Sequence, residues 1–153
     1  MTSTHRSTRL ATAAALAGAL LVLPALTGCA GASGEGRLAI LEEEPAEPVP
    51  GYVNALGILE PGSARFLGMA DGTEYYVGAE AGTRGIVCLV PVVVEATETD
   101  WGAACSTESD QVIVIHEGLH GEAALVADGA DEQTLDQLAE DGWREVSQNL
   151  WVR

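Results

Sequence analysis

Lysine is absent from this chain of 153 residues, phenylalanine occurs once, and aromatic residues make up only 5%. The positive side is carried by seven arginines against 23 acidic residues, a formal net charge of −16. Such a field excludes nucleic acid and anionic lipid headgroups as partners, because both are held by basic patches. The sequence also lacks a Gly-x-Ser-x-Gly elbow, a glycine-rich phosphate loop with its lysine, and an Asp-x-Asp-x-Asp-Gly calcium loop. No Cys-x-x-Cys spacing occurs, which removes the usual redox and zinc patterns. Gly34-Glu35-Gly36 lies in a linker rather than between a strand and a helix, so it does not form a dinucleotide fingerprint. No cofactor is implied.

What is present starts at the amino terminus. His5, Arg6 and Arg9 precede an apolar run from Leu10 to Leu26, rich in Ala and Leu and broken by Pro24. A basic start followed by a short apolar run has the form of a signal-peptide helix, to be left out of the fold. The run ends in Leu26-Thr27-Gly28-Cys29, which resembles the lipobox of bacterial lipoproteins. That resemblance implies that the Cys29 thiol carries a diacylglycerol, that residues 1–28 are removed, and that Cys29 becomes the new amino terminus. Two acyl chains make a stable anchor, since each buried methylene contributes about 0.8 kcal/mol. The expected location is the outer face of a cell membrane, with the membrane itself as one partner. Two alternatives stand beside it. One is a retained transmembrane anchor, although the run falls short of the roughly 20 apolar residues a span wants. The other is ordinary cleavage after Ala30-Gly31-Ala32.

Removing 28 residues leaves 125, enough for one domain with a core. Five arginines then face all 23 acids, a net −18. With Cys29 acylated, Cys88 and Cys105 remain, and outside the cell such a residual pair reads as a disulfide.

Residues 29–51 form an acidic, Pro/Gly-rich stretch with Glu42-Glu43-Glu44 and prolines 45, 48 and 50. Its composition predicts a flexible spacer, stiffer where proline is dense. Leu38 to Leu41 break the pattern and are expected to dock as a short strand or to touch lipid. A single domain is predicted over 52–153. Asp71-Gly72 between two β-prone runs predicts a two-residue hairpin turn, pairing Ala70 with Thr73, Gly68 with Tyr75 and Phe66 with Val77. That register turns Phe66, Tyr75 and Val77 toward the core and Leu67, Met69 and Tyr76 away from it. Ile86 to Val94 is nearly all apolar, a strand covered on both faces, with Pro91 implying an edge or a bulge. Trp101 is placed beside the disulfide. Gln111 to His116, Glu122 to Ala127 and Trp143 to Val152 read as further strands. Asp131 to Asp141 reads as the helix, with Asp131 as N-cap, a Leu135-Leu138-Ala139 stripe and Gly142 at its end. The fold class is α+β, mainly antiparallel sheet with one helix in the C-terminal half.

Tyr75-Tyr76-Val77-Gly78, Cys88-Leu89-Val90, Trp101-Gly102-Ala103-Ala104-Cys105-Ser106, the Asp128-Gly129 turn and Asn149-Leu150-Trp151-Val152 resemble small uncharacterised secreted or lipid-anchored proteins of actinobacteria. The resemblance runs from about Ser63 to the end and supplies no activity.

His116-Glu117-Gly118-Leu119-His120 matches His-Glu-x-x-His, which on a helix sets two imidazoles on one face for Zn²⁺ and a glutamate as general base. The run before it, Val112-Ile113-Val114-Ile115, is β-branched, and Gly118 and Gly121 weaken any helix. Glu117 to Gly121 is therefore expected as a hairpin connection with exposed histidines. The leading expectation is a non-enzymatic binding module at the cell envelope, its partner an envelope protein or wall component. The alternative is a zinc-dependent hydrolase using His116, Glu117 and His120.

Overall fold

A computed structural model describes residues 38–93, 100–107, 109, 111–118 and 121–153, all within one compact unit. The expected α+β class holds, mostly antiparallel strand with one main helix. The strands form two sheets. The first runs β1 (Arg65–Ala70), β2 (Thr73–Ala79), β3 (Ile86–Val93), then β4 (Asp100–Trp101) and β5 (Ala104–Thr107), both paired to β3. The second has the order β6 (Val112–Gly118), β7 (Gly121–Val126), β9 (Leu150–Val152), β8 (Arg144–Ser147).

The main core lies between the sheets. Leu67, Tyr75, Val77, Val87 and Leu89 from the first meet Ile113, Leu125, Leu150 and Val152 from the second. Each outer face carries a second apolar layer. A short helix, α1 (Gly51–Ala55), and the loop after it cover Tyr76, Cys88, Val90 and Val92 with Val53 and Leu59. Helix α2 (Glu132–Glu140) covers Ala124, Val126, Trp143 and Trp151 with Leu138. Strands β3 and β7 are thus buried on both faces, which accounts for the continuous apolar run at Ile86–Val93. At the margins β1 approaches β8 and β5 approaches β6, so the strand edges are covered by their neighbours. Gly68 permits the first approach, since a Cβ there would stand 3.1 Å from the Val146 side chain.

Asp71 and Gly72 both adopt the left-handed conformation, as the hairpin turn between β1 and β2 requires. Asp131 caps α2 by accepting a 2.7 Å hydrogen bond from Thr134 N–H. Gly142, with φ +87°, closes the other end. Gly142 N–H donates to the Ala139 carbonyl and Trp143 N–H to the Leu138 carbonyl, while the Trp143 and Leu138 side chains share one cluster.

Four expectations change. First, a bulge between Phe66 and Gly68 shifts the β1–β2 register, so that Phe66 faces Tyr76 and Arg65 faces Val77. Leu67 fills the core position and Phe66 stands outside it. Second, Pro91 lies in an inner strand, and the neighbouring strand is broken instead. Gly102-Ala103 separates β4 from β5 opposite the proline, which relieves the ladder of a donor it would lack. Third, the last stretch is a hairpin, β8 and β9, turning at Gln148-Asn149. Fourth, Leu38 docks as part of a 3₁₀ turn, Ala39–Leu41, rather than as a strand, and is 1% exposed in the main core.

That turn is clasped to the second sheet. Asp128 accepts from the Ala39 N–H, the Gln148 amide and the Asn149 amide, and Asn149 also donates to the Val126 carbonyl. Among the described residues, no helix is long and apolar enough to cross a membrane.

Candidate functional site

Cys88 and Cys105 are direct partners across β3 and β5 and form a disulfide. The Glu80 carboxylate lies within 4.8 Å of both sulfurs, but bonded sulfurs offer no thiolate to a metal. Trp101 sits on β4 against Val92, partly exposed. Trp143 and Trp151 are core residues beneath α2.

His116 lies on a strand. Residues 112–118 are extended and pair with β7 through Glu117↔Glu122 and Gly118↔Gly121, so the helical face on which His-Glu-x-x-His would gather two imidazoles is not formed. The His116 ring is half-buried rather than exposed, and packs over Gly102 and Gly118, where any Cβ would collide with it. His120 and Cys29 lie outside the described residues.

The feature the sequence pattern misplaced is Phe66. The bulge turns the chain's one phenylalanine outward, 45% exposed, with its ring tilted against Tyr76 at 5.5 Å. Bulges re-aim a side chain at the expense of ladder regularity, and they gather at strand edges and beside sites. Phe66 forms one wall of a cleft of about 290 Å³. The other wall is built by Ile40 of the 3₁₀ turn and by Glu43, Glu44, Pro45 and Glu47 of the segment after it. Arg65 fixes that segment, because its guanidinium donates to the carbonyls of Glu43, Gly62 and Ala64 at 2.8–2.9 Å.

The apolar surface continues along the outer face of the first sheet. Met69, opposite Glu74, is 61% exposed, and Tyr52 on α1 is partly exposed. Tyr52 and Tyr76 both donate to one Glu74 oxygen, at 2.6 and 2.7 Å, which locks α1 onto the sheet beside Phe66. Burial, and then donation to this carboxylate, raise both phenol pKa values, that of Tyr76 far above its ordinary range.

Chemically the arrangement is an exposed cleft that is part apolar and part acidic. It joins an aromatic ring, aliphatic flanks and three carboxylates that have no hydrogen bond or ion pair among the described residues. The residue-level signal was Gly68, since an isolated glycine in a strand marks a bulge or a close approach. Leu38 to Leu41 were the signal for the opposing wall. No protein-family model matches the chain, and no curated protein or solved structure aligns with it.

Proposed function

We propose that this protein is a lipid-anchored, non-enzymatic binding module on the outer face of the cell membrane. Cys29 would hold it through diacylglycerol, the stretch up to residue 37 would set its distance, and the Phe66 cleft would contact an envelope protein or wall component. The observation that carries the binding reading is Phe66 itself, turned out of the core by a bulge into a cleft whose other wall joins Ile40 and Pro45 with three glutamates. With Met69 on the same outer face and Tyr52 on α1, Phe66 makes an exposed apolar patch rather than a lone exposed side chain.

Full-length protein in neutral detergent micelles, mixed with fragments of the cell envelope, tests the binding reading. Wild type is retained on the fragments and Phe66→Ala is released. Ile115→Ala, which removes a side chain of similar exposure (49%) on the other sheet, is retained like wild type. Equal retention of wild type and Phe66→Ala contradicts the reading. The anchor has its own test: Cys29→Ser moves the processed protein out of the membrane fraction or leaves it uncleaved.

A further inference from the structure

The cleft beside Phe66 has a chemistry that narrows its occupant, on the reading just given. Glu43, Glu44 and Glu47 line it, and among the described residues the one cation in its lining is Arg65, whose Nε and Nη1 groups donate to three backbone carbonyls. Among the described residues one positive charge therefore stands against three negative ones, and the chain has no lysine to offset them. The apolar part is an aromatic ring whose one side rests on Tyr76 and whose exposed part borders the cleft. A cation is attracted to an aromatic face even at an exposed site, and paired carboxylates add orientation. The volume, about 290 Å³, is at the small end of ligand pockets, which run from about 300 to 1,000 Å³. It suits one long side chain rather than a multi-ring cofactor.

We propose that the Phe66 cleft takes an arginine or lysine side chain, flanked by apolar residues, from an extended segment of a partner protein. The basic head lies over the Phe66 ring among Glu43, Glu44 and Glu47, and the apolar flanks lie on Ile40, Pro45 and Met69. A second copy of this chain is a poor occupant, because the acidic face would meet another molecule of net charge −18 once residues 1–28 are removed. An anionic lipid surface is repelled for the same reason.

Fluorescence anisotropy with full-length protein in neutral micelles tests this, using three short labelled peptides: alternating Arg and Leu, alternating Arg and Ser, and alternating Glu and Leu. The Arg–Leu peptide binds, more weakly as salt rises, and the other two bind at least about tenfold more weakly. Phe66→Ala, and the combined Glu43→Gln, Glu44→Gln, Glu47→Gln variant, each lower Arg–Leu affinity by about tenfold, the size of loss typical of a contact that matters. Phe66→Trp retains it, since indole is the better cation partner. The matched removal of charge on α2, Glu132→Gln, Asp136→Asn and Glu140→Gln, leaves it unchanged.

An equal loss in the α2 variant would reduce the effect to net charge and overturn the proposal. So would equal binding of the Arg–Ser peptide, Phe66-dependent self-association, or Phe66-dependent binding to anionic vesicles. If the Arg–Leu peptide fails while envelope fragments still distinguish Phe66→Ala from wild type, this inference falls and the binding module stands. If both fail, both fall.

Discussion

Phe66 shows what one side chain can reveal about a fold. Leaving about half of a phenylalanine in water forgoes on the order of 1 kcal/mol of burial. Leu67 takes the core position, so the sheet is still filled, but the aromatic is spent on the surface. Nearby, Tyr76 is nearly buried and donates to Glu74 together with Tyr52. Its raised pKa has a consequence for stability. Below about pH 10, the ordinary phenol value, both the folded and the unfolded chain keep this proton. Above that value the unfolded chain releases it while the fold retains it, so stability falls as pH climbs toward the folded value. Tyr52 and Tyr75 shift in the same direction and add to the fall. Urea unfolding midpoints measured from about pH 8 to 11 are expected to decline above about 10. Tyr76→Phe, although less stable at neutral pH, is expected to decline more gently. An equally steep decline in that variant would remove Tyr76 from the account.

At the scale of elements, α2 is the piece whose ends are most fully specified. Its Asp131 cap and Gly142 closure follow from the residue types, and both form as the sequence predicts. Asp131→Ala is expected to cost about 1 kcal/mol, read as a lower urea midpoint with an unchanged slope. No change in midpoint would mean that the helix is held by Leu138 and Leu135 alone. The Asp71-Gly72 turn was equally legible, because two successive positive φ angles leave few residue choices. The element that carries the candidate site was not. A bulge moves every side chain beyond it to the other face, and nothing local to Arg65-Phe66-Leu67 says whether a ring or an isobutyl group should face inward. Tertiary fit decides: Gly68 and the Val146 side chain must pass closely, and the slip occurs where they do. Pro91 was misplaced for a related reason. A proline can be accommodated by a gap in the neighbouring strand as well as by an edge, and the gap at Gly102-Ala103 is visible only in the pairing. For His116, the β-branched run before it was enough to set strand over helix, and the structure agrees.

At the scale of the whole molecule, two antiparallel sheets with covered edges carry a strongly acidic surface. The acidic charge maintains solubility and repels other anions, but by itself names no partner. The described part of the amino-terminal segment belongs to the domain. Leu38 enters the core, Asp128 holds the Ala39 N–H, and Arg65 holds Glu43, so from Leu38 onward this stretch builds one wall of the cleft. On the proposed anchoring through Cys29, this attachment would present the cleft in a fixed relation to the residues that lead into Leu38. The most direct test is photo-crosslinking in living cells, with a photo-reactive phenylalanine analogue placed at position 66 or, as the comparison, at position 115 of the full-length chain. A discrete adduct from position 66, absent from position 115, is the expected result. No adduct from position 66, or the same pattern from both positions, would contradict the account.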